Sequence, residues 1–293
     1  MTATPAQPQI AFNPITWYLT DEGFNPAVAP PLPQIYQEIR EAGFDAVHVE
    51  VPSGMSVPDY RRLLDDTGLT PAPGYFNAPF SDDGALQESL ERARRVAGEH
   101  AELGLSRIFI ADRFGASERA ELPARGVGFD AVRLGRIVEN LAAVAGVMVS
   151  EGVTPCLHQH VGTWIETEAE TVAVLDRIDP ALLLVGPDTG HLAWAGVDPA
   201  QFIQRYPDRI GAVHLKDMRA AVKERPGDYR TTVARHLWTE PGRGDVDFAA
   251  VLGVLASFDG WFVVEVDLAD QPTPKESAAF SARSVKKYLG VAA

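Results

Sequence analysis

The chain alternates between short apolar runs and longer segments in which apolar residues recur every three or four positions. The short runs are typical of buried β-strands, and the longer segments are typical of amphipathic helices. Eight strands are predicted, at residues 10–13, 46–50, 70–74, 107–111, 154–158, 182–186, 210–214 and 261–265. Eight helices are predicted to follow them, at residues 33–42, 57–67, 85–103, 129–150, 167–178, 199–206, 248–257 and 274–289.

Eight strand-helix units in one chain predict an α/β fold of the TIM (β/α)8 barrel type. A length of 293 residues fits one such barrel. We therefore expect a single domain over residues 1–293, with residues 1–8 as a flexible tail. No Gly-x-Gly-x-x-Gly sequence follows the first strand, which argues against a dinucleotide-binding sheet.

Two predicted loops, residues 113–128 and 218–238, are longer than most connections. Both follow strand ends, where the loops of a barrel carry function. The second loop is charged, and its sequence fits either a mobile lid or a solvated surface insertion.

The charge balance narrows the range of partners. The chain has 26 Lys and Arg against 40 Asp and Glu, a formal net charge of −14, which argues against nucleic acid and anionic membrane surfaces. One cysteine cannot form an internal disulfide, and no signal peptide or membrane span is evident. We expect a cytoplasmic protein that acts on a small molecule, and a homo-oligomer remains open.

Chemistry-bearing residues collect at the ends of the last four predicted strands. His158, Asp188, His214 and Glu265 occupy matched positions there. In a closed barrel their side chains converge on one side of the mouth. Two imidazoles and two carboxylates suit Mn²⁺, Fe²⁺, Co²⁺ or Zn²⁺ and are too rich in nitrogen for Ca²⁺. Any one of them alone would more often be a hydrogen-bonded structural residue, but the joint pattern predicts a metal site.

Neighbouring residues offer further chemistry. Lys216 shares the inward direction of His214 and is a candidate proton shuttle or ligand of a substrate oxygen. Asp217 fits either a group that orients a metal-bound histidine or a loop acid. Arg243, in a Gly-rich turn, could hold a substrate oxygen, and Asp247 is predicted to cap the next helix. We interpret His100 as a solvent-facing helix residue.

Five aromatic residues near the predicted strand ends could form an apolar wall for a ring substrate or pack in the core: Trp17, Tyr75, Phe76, Trp164 and Trp194.

Seven short motifs give the chain a family resemblance: NPITW at 13–17, EAGFD at 41–45, HQHVGT at 158–163, DTGHLAWAG at 188–196, HLKD at 214–217, PGRG at 241–244 and VVE at 263–265. With them the chain resembles the xylose-isomerase-like TIM barrel superfamily, and within it the inosose dehydratases most. The resemblance implies one divalent cation held at the ends of strands five to eight, commonly by Glu, Asp, His and Glu. Carried over by motif, these ligands are His158, Asp188, His214 and Glu265, with His160 as a rival on strand five.

The resemblance also implies a reaction. We expect Mn²⁺ or Co²⁺, with Zn²⁺, Fe²⁺ or Mg²⁺ as alternatives, and a keto-inositol or keto-sugar (a polyol-like substrate) that loses an α-proton and then a β-hydroxyl. The expected catalytic residues are His160, His191, Lys216 and Glu265. The expected substrate-binding residues are Asn13, Trp17, Glu50, Tyr75 and Arg243.

Three other functions are alternatives to dehydration. Isomerisation or epimerisation of a keto-sugar is the main alternative, although His158 in place of a carboxylate disfavours two-base epimerisation. A non-catalytic carbohydrate-binding barrel is a weaker alternative. The superfamily also contains metal-dependent DNA-repair nucleases, which the net charge of −14 argues against.

Overall fold

The computed structural model describes residues 8–115 and 117–291, and most of the predicted tail, residues 1–8, lies outside them. Eight parallel strands form the barrel: β1 (Gln9–Phe12), β2 (Ala46–His48), β3 in two segments (Thr70–Ala72 and Tyr75–Ala78), β4 (Arg107–Asp112), β5 (Thr154–Leu157), β6 (Leu184–Val185), β7 (Ala212–Leu215) and β8 (Trp261–Val264). β8 pairs with both β1 and β7. The bridges Val185 to Ile210 and Asp188 to His214 join β6 to β7, so the ring is closed and the predicted TIM barrel is confirmed.

Helices cover the outside of the barrel in the predicted places. Their bounds are Leu32–Glu41, Val57–Thr67, Leu86–Glu102, Ala131–Ser150, Glu168–Leu175, Pro199–Gln204, Phe248–Val254 and Pro274–Leu289. Side-chain caps define several starts, because a free backbone N–H at a helix start needs an acceptor. Asp247 caps Phe248–Val254 as predicted, by accepting from the backbone N–H of Ala250.

Shorter elements lie in the loops, where a brief or irregular period gives no sequence signal. They are the helices Ser117–Glu121, Thr189–Trp194, Ala220–Lys223 and Tyr229–Ala234, the 3₁₀ turns Pro14–Trp17, Pro26–Val28 and Asp83–Ala85, and the antiparallel pairs Leu19–Thr20 with Gly23–Phe24 and Asp217–Met218 with Trp238–Thr239. The charged loop 218–238 is therefore folded.

The two segments of β3 pair with different neighbours, and the break between them explains a wrong prediction. Thr70–Ala72 pairs with β2, Tyr75–Ala78 pairs with β4, and Gly74 lies between them. A Cβ at Gly74 would collide with the backbone of Val49 and the ring of His100. His100 is only 4 % exposed, accepts the Gly74 N–H at 3.1 Å and is not solvent-facing. A free strand N–H needed an acceptor, and a helix residue supplies it.

Small residues fill the inside of the barrel. Ala11, Ala46, Ala72, Cys156 and Ala212 are all buried there, beside Phe109 and Val263. Side chains along a strand alternate in direction, so the residue two positions further on points the same way. Five of these inward-pointing rows continue with a polar residue two positions further on: Asn13, His48, His158, His214 and Glu265. The interior rows therefore end in polar side chains at the carboxyl-terminal mouth.

Candidate active site

A cavity of about 590 Å³ opens at the carboxyl ends of the strands. Its inner part is lined by polar side chains from the strand ends, including Asn13, His48, His158 and Glu265. Asp188 and His214 lie directly behind this wall and are fully buried. The mouth of this barrel thus combines a large cavity with buried titratable groups, which is the usual setting of a barrel active site.

Three of the predicted ligands form a compact set. His158, Asp188 and His214 each offer a ligand atom within 4.8 Å of the others. Among the described residues, His158 Nδ1, Asp188 Oδ2 and both ring nitrogens of His214 have no hydrogen-bond partner. Buried polar atoms without partners are rare, because each costs the free energy of leaving water. One divalent cation would take one ligand atom from each of these three residues, so the residues present fit a metal.

Burial also keeps His158 unprotonated, so that its ring has a free lone pair. Burial, with the nearby His214 and His160, holds the pKa of His158 well below its usual value. His158 is therefore neutral at physiological pH, as a metal ligand must be.

Asp188 serves two roles at once. Its Oδ1 caps the helix Thr189–Trp194 by accepting the backbone N–H of His191 at 2.8 Å, while Oδ2 points to the cluster. Gln159 donates to the Asp188 carbonyl oxygen at 2.9 Å. The capping bond fixes the orientation of the carboxylate, so the free oxygen is aimed by the start of the helix.

Glu265 lies at the edge of this set. Its Oε2 is 3.4 Å from His214 Nδ1 and accepts from Asn13, and its Oε1 accepts from Lys216 at 2.8 Å. Burial alone would raise the pKa of Glu265, but the charge of Lys216 and its hydrogen bond to Glu265 outweigh burial and hold the pKa well below its usual value. The carboxylate is therefore ionised, with lone pairs left beside the cluster.

Lys216 is a fully buried cation. Its Nζ donates to Glu265 and to Asp267, each at 2.8 Å, and lies 4.4 Å from the Trp238 ring centre. Burial would lower the pKa of Lys216, but the charges of Asp267 and Glu265 hold it well above its usual value. Lys216 is therefore held as a charged donor between two carboxylates.

The peptide groups of Val161 set opposite tautomers in His160 and His191. The Val161 N–H donates to His191 Nδ1 at 3.2 Å, so the proton of a neutral His191 is on Nε2. His160 Nδ1 lies 2.7 Å from the Val161 carbonyl oxygen and donates to it, which leaves a lone pair on Nε2. Burial lowers the pKa of His160 to about 4 and that of His191 well below its usual value. The two rings, whose centres are 3.9 Å apart and whose planes are tilted by 39°, therefore present one acceptor and one donor.

Not every predicted substrate residue reaches the cavity. Asn13, Glu50 and Tyr75 line it. The 3₁₀ turn after β1 directs Trp17 away from the cavity and into the core between barrel and helices. There it packs on Phe12 and donates to Glu38. Trp17 is therefore not among the residues that line the cavity.

Arg243, predicted to bind substrate, also lies away from the cavity. It forms an ion pair with Asp270 at 3.1 Å and lies over the Phe280 ring, outside the cavity. The turn that carries it is held by Asp217, which accepts backbone N–H groups from Met218, Gly242, Gly244 and Val246. Asp217 is thus a loop acid, and it orients this turn instead of a metal-bound histidine.

The aromatic residues divide between core and site. Phe76 and Trp164 pack in the helix layer, Trp194 lies behind His191, and Tyr75 lines the cavity. The lining residues that the sequence argument did not predict include His48, Asp267 and Tyr229. Asp267 was detectable, because it lies two positions beyond Glu265 and so faces the same way.

Comparison with known proteins shows which family the chain resembles over most of its length. The family described as "Xylose isomerase-like TIM barrel" matches residues 36–288. An inosose dehydratase of Geobacillus kaustophilus is 29 % identical over 266 residues, which is 87 % of this chain and 85 % of that protein. These relatives are enzymes that act on small sugar-like molecules.

Solved structures show the same fold. A probable 3-DHS dehydratase from Bacillus anthracis superposes with a TM-score of 0.72 at 14 % identity, covering 95 % of this chain and 98 % of that one. An L-ribulose 3-epimerase superposes with a TM-score of 0.71 at 17 % identity, covering 97 % and 95 %. In the part of the chain that the structure describes, no helix has the length and apolarity needed to cross a membrane. On its sequence match and its closed barrel, the chain belongs to the xylose isomerase-like TIM barrel family.

Proposed function

We propose that the protein is a divalent-metal-dependent dehydratase of a keto-inositol or keto-sugar. The observation that carries the proposal is the buried set of unpartnered ligand atoms on His158, Asp188 and His214 behind the cavity wall. The similarity to an inosose dehydratase over 87 % of the chain supports the choice of reaction.

The ligands that we propose are His158, Asp188, His214 and Glu265. His158 is preferred to His160 because it lies within 4.8 Å of both Asp188 and His214. Mn²⁺ or Co²⁺ suits two imidazoles and two carboxylates, and Zn²⁺, Fe²⁺ or Mg²⁺ is an alternative. When bound, such an ion would polarise the substrate carbonyl and lower the energy of removing the adjacent proton.

The proton transfer falls to His160. The His160 ring lines the cavity and its Nε2 keeps a lone pair, while both oxygens of Glu265 already accept hydrogen bonds. His160 takes the proton from the carbon next to the carbonyl, and the bond between the following carbon and its hydroxyl oxygen breaks. His160 then returns the proton, so that the hydroxyl leaves as water and the balance needs no other reactant.

The remaining residues hold this arrangement. The His191 ring packs against the His160 ring and, through Val161, fixes the ring that exchanges the proton. Lys216 keeps Glu265 ionised and holds both Glu265 and Asp267 in place. Asn13, Glu50 and Tyr75 are positioned to bind substrate hydroxyls.

The test is to incubate metal-free and Mn²⁺- or Co²⁺-loaded protein with inosose and a panel of keto-sugars and to follow product mass. Loss of the mass of one water by the loaded protein alone is expected. Unchanged mass with altered stereochemistry would instead identify an isomerase or epimerase, and unchanged substrate with bound sugar would identify a binding protein.

Two variants assign the roles. His214→Ala should lose bound metal together with activity, whereas His160→Gln should keep the metal and lose activity. His236→Asn, which changes a histidine outside the cavity, serves as the matched control and should behave as the wild type. Full turnover by His160→Gln would contradict the proton-transfer step.

A further inference from the structure

The large cavity has two chemically different zones. The inner zone is polar, with Asn13, His48, His158, Glu265 and Asp267 in its wall. The outer zone is an apolar rim built from three separate loops, and its members are Leu19, Phe24, Phe114, Tyr229 and Val233. We call this set the apolar rim.

Two aromatic rings of the apolar rim are open to solvent. Phe24 is 62 % exposed and Phe114 is 47 % exposed. Phe24 comes from the hairpin after β1, and Phe114 comes from the loop after β4. Exposed apolar surface that adjoins a binding cleft is typical of a surface that a ligand covers.

The apolar rim is continuous with the reactive groups. The Phe114 ring lies 4.6 Å from the Tyr229 ring and 5.7 Å from the His160 ring, and Tyr229 stacks on His160 at 5.9 Å. A ligand that reaches His160 therefore extends past Tyr229 and Phe114 if it is longer than one ring.

The size of the cavity leaves room for such a ligand. Its volume of about 590 Å³ lies within the range of about 300 to 1,000 Å³ that takes drug-sized molecules. A single keto-inositol ring would occupy the polar zone and leave the rim uncovered.

Charge at the entrance does not select an anion. Arg113 and Arg230 line the cavity near the rim, and the exposed Asp21 and Glu50 line it too. These described residues carry two charges of each sign, so their charges cancel. Apolar contact is the remaining basis for selection in the outer zone.

We propose that the substrate carries an aromatic substituent on its keto-sugar or keto-cyclitol ring, and that this substituent packs against Phe24 and Phe114. The position of the keto ring beside His158 and His160 rests on the proposed function. The aromatic subsite rests on the apolar rim alone.

Binding of inert ligands tests the subsite without any turnover. Calorimetry with metal-loaded protein would compare phenyl β-glucoside with methyl β-glucoside. We expect the phenyl ligand to bind at least about tenfold more tightly, because a buried aromatic contact contributes on this scale. Equal affinity of the two ligands, or no binding of the phenyl ligand at millimolar concentration, would overturn the proposal.

Rim variants locate the effect. Phe24→Ala with Phe114→Ala should reduce the phenyl preference to about twofold or less, with little change for the methyl ligand. Phe129→Ala is the matched control, because Phe129 is 59 % exposed and lies outside the large cavity. A full phenyl preference in the double variant would contradict the assignment of the rim.

The two proposals can fail separately. If inosose loses water but the phenyl ligand has no advantage, dehydration stands and the aromatic subsite is wrong. If the rim variants abolish a phenyl preference but no ketone loses water, the subsite stands and the dehydratase proposal is wrong.

Discussion

Two buried clusters of charged side chains in this protein differ in how completely they are satisfied. Arg119 donates to Glu166 and Glu170, and both carboxylates also accept backbone N–H groups. Among the polar atoms described in this cluster, only Arg119 Nε lacks a partner. In the cluster of His158, Asp188 and His214, four ligand atoms lack one.

The difference separates a structural role from a binding role. Glu166 accepts from the backbone of Ala124, Gly126 and Gly162, so the Arg119 cluster fastens the insertion 113–128 to the loop after β5. In the strand-end cluster, one ligand atom from each of the three residues lies within 4.8 Å of the others. Full pairing indicates an anchor, and convergent unpaired atoms indicate a site for a ligand.

The largest expected effect comes from the unsatisfied cluster. Asp188→Asn keeps the helix cap but removes the charge, so we expect loss of bound metal and a fall in dehydration rate of about 10³-fold, since a metal contributes several kcal/mol to such a step. Metal analysis and turnover measure this effect. Urea unfolding should stay close to the wild type, and wild-type metal content in the variant would contradict the ligand assignment.

The satisfied cluster should respond in stability instead. Arg119→Ala leaves two buried carboxylates without their cation, and we expect the free energy of unfolding to fall by about 3–5 kcal/mol. Urea denaturation measures it. Arg133→Ala, which removes the guanidinium stacked 3.7 Å from the Trp164 ring centre, is the control with a smaller loss. A loss below about 1 kcal/mol for Arg119→Ala would show that the cluster is no anchor.

The next largest effect is expected in the pH dependence of stability, and it comes from His100, a buried histidine whose two ring nitrogens both form hydrogen bonds. His100 accepts from Gly74 and donates to Val96, and burial lowers its pKa to about 4. Its unfolded pKa is about 6.5, so its stabilising contribution is present above that pH and is lost as pH falls toward 4. Between pH 7 and pH 5 the wild type should lose about 2 kcal/mol of stability from this group.

His100→Gln provides the comparison for that pH dependence. Glutamine keeps an acceptor for the Gly74 N–H but does not titrate. The variant should therefore lose less stability on acidification, as measured by urea unfolding at both pH values. Parallel losses in both proteins would exclude His100 as the source.

The smallest effect is expected for an exposed ion pair that joins Arg205 to Glu168, a residue on the helix that also carries Glu170. Arg205 bonds Glu168 at 2.7 Å, with exposures of 54 % and 36 %. Arg205→Ala should change stability by about 0.5 kcal/mol or less, because water screens the pair. An effect as large as that of Arg119→Ala would remove the distinction between buried and exposed pairs on this helix.

Much of the site was predictable because strand periodicity is simple. His158, His214 and Glu265 share the direction of Cys156, Ala212 and Val263, two positions earlier on their strands. A closed barrel brings such positions together whatever the loops do. Asp188 follows the same logic, since it bridges to His214 directly beyond β6.

The sequence argument did not predict the directions of side chains that lie on turns. Trp17 and Arg243 lie near strand ends along the chain, yet one turn directs Trp17 into the core and another directs Arg243 toward Asp270. Tyr229 lies in a helix of a long loop and reaches the cavity from a distance that no local pattern encodes.

The sequence by itself determined the eight strand-helix units and the row of polar residues at the last four strand ends, because both follow from local periodicity. The tertiary structure alone decided which atoms are satisfied. It placed His100 against Gly74, gave His160 and His191 opposite tautomers through Val161, and exposed Phe24 and Phe114 at the cavity entrance. Each of these depends on contact between segments that are distant in the chain or on the direction of a single turn, and hydrophobic periodicity carries no information about either.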